Sequence, residues 1–487
     1  MIQIEDVSFR YSNSKDDALE HINLHIRQGE FVVLVGSSGC GKTTITRLIN
    51  RLVPEFFEGK LEGKVYIDGQ DTSDLDIQDL AGIVGSVFQD PRSQFFATDT
   101  TAEIAFSCEN VGLPREELCR RIEKAANDLQ INRLLERSIF ELSSGEKQSV
   151  AIASVYALSA EILVLDEPSA NLDTSATKRL MAILDVLKKR GYTIVISEHR
   201  IHYLKDIADR AILIEHGKIK REISREEFQK LSNSDANEMG LRSMNLLSIK
   251  PHPFDFPKKG NDFVCLDRIS YRYGKNDVIL ENVEISAARG DVVGIVGHNG
   301  VGKSTLLEIV CGLKKEMGGS FLIDGKPASP KIRNRDTFLV MQNSDYQLFT
   351  ESVEKELYLG SGKDQALRQK GLALLEKMGL SDYLQQHPAS LSGGQKQRLC
   401  IAVACMKNTD VICFDEPTSG LDYISMKNVS SLLHDLSEEG KVLFVTSHDY
   451  EFLLSTCTHI CHLKSGSVAD YFEVKEETAH QIYQILF

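Results

Sequence analysis

The chain has 487 residues, 42% hydrophobic and 26% charged, with 10 cysteines and a formal net charge of −14. That balance suits globular domains with real cores and speaks against a nucleic-acid binder, which would carry a clustered basic excess. The cysteines form no Cys-x-x-Cys pair and read as reduced thiols, and no apolar stretch approaches the ~20 residues that span a bilayer, so any work at a membrane is expected to run through partner proteins.

In chain order, Ile2 to Phe9 alternates apolar and polar residues as a strand does. Phe31-Val-Val-Leu-Val35 is a short apolar run of the kind buried on both faces of a sheet. It leads into Gly36-Ser37-Ser38-Gly39-Cys40-Gly41-Lys42-Thr43, and the residues from Thr44 to Asn50 read as a helix. Strand, glycine loop and helix together are the setting a phosphate loop requires. Phe88-Gln89-Asp90 closes a strand-like stretch. Leu118, Ile122, Ala125, Leu129 and Leu134 then recur at helical spacing, with Pro114 expected in a first helical turn. This block, Leu113 to Arg137, reads as an inserted arm. After Leu142-Ser143-Ser144-Gly145-Glu146, the run Ile162–Leu165 ends in Asp166-Glu167, Thr193–Ser197 is followed by His199, and Arg210–Ile214 is a further strand. The alternation of strands and helices predicts an α/β fold with a parallel sheet.

Asn233 to Gly260 contains Pro251, Pro253 and Pro257 and nearly balanced charge, the marks of a joint. As flexible coil such a tether spans roughly 30 Å, enough to bring two halves face to face at high effective concentration. The whole kit then returns. Gly297-His298-Asn299-Gly300-Val301-Gly302-Lys303-Ser304 repeats the glycine loop, and Leu391-Ser392-Gly393-Gly394-Gln395 repeats the motif at 142–146. Asp415-Glu416 repeats 166–167, and His448 repeats 199. From the Leu-Ser motif onward the pairs 142 and 391, 166 and 415, and 199 and 448 share one offset, 249 residues. The expected organisation is a domain of residues 1–232, a joint of 233–260 and a second domain of 261–487 with its own arm from Val353 to about His387.

Both loops satisfy Gly-x-x-x-x-Gly-Lys-Ser/Thr. Glycines let the backbone wrap a triphosphate so that successive N–H groups point at its oxygens, at the positive end of the following helix. Lys42 and Lys303 are expected to reach the β and γ phosphates, and Thr43 and Ser304 to offer a hydroxyl to Mg²⁺. Gly36, Ser37, Ser38, Gly39, Gly41 and Thr44 complete the first cradle; Gly297, His298, Asn299, Gly300, Gly302 and Thr305 complete the second. Asp166 and Asp415, at the tips of buried strands, face the crevice at the carboxyl edge of the sheet and can hold the metal. Glu167 and Glu416 follow at once, where a carboxylate can accept a proton from attacking water.

On these motifs, and on Leu-Ser-Gly-Gly-Gln at 391–395 above all, the chain resembles the ATP-binding cassette superfamily over nearly its whole length. The resemblance implies two tandem nucleotide-binding domains, each a phosphate-loop core with a mostly parallel sheet, an antiparallel β subdomain and a helical arm. It implies that the Leu-Ser motif of one half caps the ATP held by the other. Ser392, Gly394 and Gln395 would then serve the first phosphate loop, and Ser143, Gly145 and Glu146 the second. It further places Gln89 and Gln342 on Mg²⁺ and the water, His199 and His448 on the γ-phosphate, and Tyr11 and Tyr273 against adenine, with Phe9 and Tyr271 as neighbouring aromatics. In the first half Ser144 is expected to crowd the motif, and Glu146 to bring an anion near the phosphates; two active but unequal sites follow. Cys457-Thr-His459-Ile-Cys461-His462 suggests a metal site at first sight, but the offset pairs it with 208–213 and it reads as a strand.

The segment Phe88 to Phe96, with 101–106 and Glu109-Asn110, looks like energy-coupling factor and cobalt-type transporter ATPases; Met341 to Phe349 is a looser copy. That likeness implies a peripheral protein on the cytoplasmic face of the cell membrane. It would drive a transmembrane coupling subunit beside a small substrate-capture membrane subunit, for uptake of a vitamin or metal ion. Phe95, Phe96 and Phe349 are candidate docking residues, or else core of the arm. A tandem sugar-importer ATPase is the alternative. A soluble translation-factor type would favour basic surfaces, and a chromosome or repair type long heptad repeats, neither of which the sequence carries.

Overall fold

The structure is a computed structural model that describes residues 1–252, 262–274, 277–359 and 365–487. The chain divides into two compact units, Met1–Asn245 and Leu246–Phe487. The first carries β1 (Ile2–Tyr11), β2 (Leu19–Ile26), β3 (Phe31–Val35), β4 (Gly59–Ile67), β5 (Gln70–Asp71), β6 (Val84–Val87), β7 (Ile162–Asp166), β8 (Thr193–Ser197), β9 (Arg210–Glu215) and β10 (Lys218–Ser224). These form an antiparallel sheet, β2-β1-β4-β5, and a six-stranded sheet, β10-β9-β3-β8-β7-β6. In the latter β3 lies parallel to both β8 and β9, and only β10 runs against its neighbour.

Every side chain of β3 and β8 is buried, as a central parallel strand covered on both faces requires. Alternation sorts them. Phe31, Val33, Val35, Ile194 and Ile196 join the core under the helices, and Val32, Leu34 and Val195 join the core shared with the antiparallel sheet. The arm is built from the helices Thr100–Asn110 and Arg115–Asp128, whose buried faces share a core with Ser144–Leu158. Pro114 is the residue that caps the second of these helices rather than a member of its first turn.

The second unit repeats the plan with β11 (Val264–Arg272), β12 (Val278–Ala287), β13 (Val292–Val296), β14 (Gly318–Ile323), β15 (Lys326–Pro327), β16 (Thr337–Val340), β17 (Val411–Asp415), β18 (Val442–Thr446), β19 (His459–Lys464) and β20 (Ser467–Glu473). Its sheets run β12-β11-β14-β15 and β16-β17-β18-β13-β19-β20. The Cys457–His462 stretch is strand from His459 onward: β19 pairs in parallel with β13 as β9 does with β3. Cys457 and Cys461 are buried, His459 stacks on Tyr471, and His462 Nδ1 lies 3.0 Å from Asp470.

The expected coil after Ser232 is different in its first part. Asn233–Glu238 is helical, with the Ser232 hydroxyl accepting from the Asp235 N–H at 3.1 Å. The Asn233 side chain accepts from the N–H groups of Met244 and Asn245, at 2.9 and 2.8 Å, and Ala236, Leu241 and Met244 enter the core of the first unit. Leu246 and Ile249 pack on the core of the second. Of the joint's prolines, Pro253 and Pro257 lie outside the described residues.

Candidate functional site

The two glycine loops have nearly the same backbone. Gly36 and Gly297 take φ of 147° and 150°, and a Cβ at either would sit 2.3 Å from a carbonyl oxygen, of Ile214 and Leu463 respectively. Only glycine lets the loop pass that close to the next strand. Gly41 and Gly302 precede the helices Lys42–Ile49 and Lys303–Val310 with φ of 111° and 106°, and neither helix start is capped by a side chain. Their first N–H groups thus face the loop, ready for an anion. The buried Lys42 ammonium donates to the carbonyls of Gly36 and Ser37, both at 2.9 Å; Lys303 donates to those of Gly297 and His298, at 2.7 and 3.3 Å.

The carboxylates sit at the carboxyl ends of β7 and β17. Asp166 Oδ1 accepts from Thr43 Oγ1 at 3.1 Å and from Ser197 Oγ at 2.5 Å, while Asp415 Oδ1 accepts from Thr446 Oγ1 at 2.6 Å. Burial, helped by the neighbouring Glu167, holds the Asp166 carboxyl above its ordinary pKa. Ser304, the counterpart of Thr43, is exposed at its helix start. Glu167 and Glu416 occupy left-handed backbone at φ of 44° and 50°. Each is pinned there by its N–H, which donates to the carbonyl of Ser197 at 3.0 Å or of Thr446 at 3.2 Å. A non-glycine residue held in that region stores strain of the kind found at functional sites.

Glu167 is bracketed. Gln89 Nε2 donates to its Oε2 at 2.8 Å, and His199 Nε2 lies 3.0 Å from its Oε1. The second unit differs: His448 Nε2 lies 3.0 Å from Lys303 Nζ, 3.0 Å from Asn299 Oδ1 and 3.4 Å from Glu416 Oε1. Gln342 is exposed two residues beyond β16. Tyr11 OH lies 3.1 Å from Thr44 Oγ1 and Tyr273 OH 3.5 Å from Thr305 Oγ1, so both aromatics stand beside the phosphate-loop helices. Phe9 is fully buried and cannot offer a face to a base.

In the Leu-Ser motifs Ser143 and Ser392 cap the helices Ser144–Leu158 and Gly393–Met406, each in a reciprocal box with the residue three on, Glu146 or Gln395. Two expectations change here. Ser144 does not crowd its loop: a Cβ at its counterpart Gly393 meets nothing within 4 Å, and the Ser144 hydroxyl donates to the Asn171 carbonyl at 3.1 Å. The Glu146 carboxylate is taken up locally, accepting from Ser143 N and Oγ at 3.0 and 2.9 Å, with Arg133 and Arg137 at 3.6 and 3.8 Å. The crowded position is Gly145, where a Cβ would lie 2.4 Å from that of Ala176.

Sequence reading missed Ser197 and Thr446, which hold the aspartates; a hydroxyl residue at the same place in both copies was the available signal. It also missed Gln397, whose Nε2 donates to the Glu416 carbonyl at 2.7 Å. The Thr43 and Ser197 hydroxyls meet at Asp166 and the Thr446 hydroxyl at Asp415, and such oxygen ligands are the kind a hard cation such as Mg²⁺ takes. Among the described residues no group of three or more His, Cys, Asp or Glu is placed to hold a metal, so a cation here would draw its other ligands from phosphate and water.

The ABC transporter family model matches residues 19–170 and 280–419. A protein of Treponema denticola named as an ABC transporter ATP-binding protein is 44% identical over 476 residues, 96% of this chain and 96% of that protein. One of Methanosarcina mazei, named likewise, is 31% identical over 519 residues, covering 96% of this chain and 88% of that one. Among solved structures, ribosome-bound archaeal Pelota and ABCE1 is similar in fold, with a TM-score of 0.71 over 99% of this chain and 80% of that one at 20% identity.

Proposed function

The chain belongs to the ABC transporter family and is an ATPase subunit of a transporter, and from that premise we propose that it powers an importer of the energy-coupling factor kind, taking up a vitamin or a metal ion. The observation that carries the reading is the pair of loops after Gln89 and Gln342. Phe96 and Phe349 are 73% and 75% exposed at their tips. Each loop is tied down by a buried carboxylate: Glu103 accepts from the N–H groups of Phe96 and Ala97 at 2.9 and 2.8 Å, and Glu356 from those of Phe349 and Thr350 at 3.0 and 2.8 Å. A large apolar side chain held rigidly in water is an interaction anchor. Phe95, by contrast, packs against the core of its unit. The partner is a transmembrane coupling subunit whose helices receive these aromatics, beside a small substrate-capture subunit. Among the described residues no helix is long and apolar enough to cross a membrane itself.

Each phosphate loop holds one ATP. Lys42 and Lys303 turn from loop carbonyls to the β and γ phosphates, and the helix N-termini add their dipoles. Tyr11 and Tyr273 stack on adenine. Thr43, Asp166 and Gln89 in one site, and Ser304, Asp415 and Gln342 in the other, would hold Mg²⁺, which would supply charge neutralisation on the phosphates. Glu167 and Glu416 orient and deprotonate the water, and His199 and His448 steady the γ-phosphate. Ser392, Gly394 and Gln395 close over the first nucleotide; Ser143, Gly145 and Glu146 close over the second. Catalysis of this kind is mostly positioning and charge stabilisation. The chain, pulled down from detergent-solubilised membranes, should bring with it a multi-span protein and a small hydrophobic one, and lose both with Phe96→Ala and Phe349→Ala. Recovery of ribosomal components in their place would overturn the reading.

A further inference from the structure

Directly behind the two histidines the units are built differently. Glu198, 2% exposed, is a carboxylate with four donors. The N–H groups of Ser169, His199 and Arg200 reach it at 3.0, 2.9 and 3.3 Å, and Tyr203 OH at 2.7 Å. A buried carboxylate is costly unless its lone pairs are filled, and once they are filled it rigidifies what it joins. Here it joins two loops, the one that follows Glu167 and carries Ser169, and the one that follows β8 and carries His199. Tyr203, itself buried, closes the network from the short turn His202–Leu204.

At the 249-residue offset the second unit has Thr418, Ser447 and Phe452 in these places. Ser447 Oγ accepts from the Asp449 N–H at 3.1 Å, and Asp449 caps a helix, Tyr450–Thr456, that the first unit lacks. The histidines differ accordingly: His199 Nε2 lies 3.0 Å from Glu167, whereas His448 Nε2 lies closer to Lys303 and Asn299 than to Glu416.

We propose that Glu198, fixed by Tyr203, is a positioning residue of the first site, binding the loop after Glu167 to the loop of His199 so that this histidine stays on the glutamate's carboxylate. In the second site Ser447 stands where Glu198 does, and the histidine lies nearer the phosphate loop than the glutamate. The two sites are therefore unequal by construction within the units. The inference rests on the roles given above to Glu167 and His199.

The test uses the full chain in two backgrounds, Glu416→Gln, which leaves turnover to the first site, and Glu167→Gln, which leaves it to the second. Tyr203→Phe, a loss of one hydroxyl, should lower kcat about tenfold in the first background with KM for ATP within twofold, a barrier change of about 1.4 kcal/mol. It should change neither constant by more than twofold in the second. Equal losses in both backgrounds would mark Tyr203 as general packing, and no loss in the first would end the proposal. Where either background is inactive because the sites turn over together, amide hydrogen exchange decides. Glu198→Gln should speed exchange at Ser169, His199 and Arg200 at least tenfold and leave 447–449 unchanged; uniform or absent change overturns the brace. A wild-type chain without ATPase activity would contradict the functional reading while leaving the exchange result to judge Glu198.

Discussion

Gly145→Ala and Gly394→Ala are the same substitution at matched positions, yet the structure assigns them opposite signs. Both glycines lie in the first turn of a helix. Alanine there gains up to about 1 kcal/mol in helix propensity. At Gly394 the nearest atom to a new Cβ is Leu421 Cδ2, at 3.5 Å, an ordinary contact, so the gain stands. At Gly145 the Cβ would meet Ala176 Cβ at 2.4 Å and Arg179 Nη2 at 3.3 Å. Ala176 is buried in the helix Thr174–Lys189, which Asp173 caps by accepting from the Ala176 N–H at 2.8 Å. A helix so anchored yields only by a backbone shift, and overpacking of that order costs about 1–3 kcal/mol. The net expectation is a loss of about 1–2 kcal/mol for the first unit and a small gain for the second. The chain has no tryptophan, so a single one placed at the half-buried Tyr192 or Tyr383 reports one unit alone. At a urea slope near 3 kcal/mol/M, the first unit's midpoint should fall by about 0.3–0.7 M in Gly145→Ala, and the second's should hold or rise in Gly394→Ala. Equal destabilisation by the two, or none by Gly145→Ala, would refute the packing argument.

Glu146→Gln keeps the capping box, as Gln395 does, but removes a carboxylate at a helix N-terminus, at a cost of about 0.3–1 kcal/mol to the first unit. Burial works to raise the pKa of Glu146 and is outweighed by the hydrogen bonds from Ser143 and by Arg133 and Arg137, leaving it below the ordinary value. A depressed carboxyl contributes its stability above the unfolded pKa, about 4.3, and loses it as pH falls through the folded value. The gap in urea midpoint between wild type and variant should thus hold from pH 7 to about 5 and shrink below about 4. Gly393→Ser, which enters open space, should leave the stability of the second unit within about 0.5 kcal/mol; a larger loss in thermal unfolding would contradict the open geometry at that position. Phe96→Ala and Phe349→Ala should leave the isolated chain's ATPase rate and melting temperature nearly unchanged while abolishing ATP-driven uptake in reconstituted membranes, and an equal fall in ATPase would return both residues to the packing of the arm.

What could be read from the sequence was whatever local chemistry dictates. The phosphate loops were legible because β3 and β13 need an unbroken apolar run and the turns after them need glycine where a Cβ would strike a carbonyl. The aspartates were legible because each ends such a run. Contacts that depend on neighbouring strands were not: Ser197 looks like any strand-end serine until β7 and β8 pair in register and place it on Asp166. Glu198 reads as a surface charge beside a histidine, and only the fold reveals four donors around it. Ser144 was expected to crowd its motif because a serine replaces a glycine, but the tight glycine is the next one. The prolines of the joint mark coil, but the Ser232 cap and the apolar residues Leu241 and Met244 fold Asn233–Asn245 onto the first unit.

In the function we propose, two ATP molecules are clasped between the halves, each capped by the other half's Leu-Ser motif. Nucleotide retained through gel filtration by the hydrolysis-deficient Glu167→Gln/Glu416→Gln chain tests it directly. The account predicts two ATP per chain, falling to one when Ser392→Arg is added, with the loss at the first phosphate loop. Two nucleotides retained regardless of Ser392, or a loss at the second loop, the one in the same unit as Ser392, would contradict it.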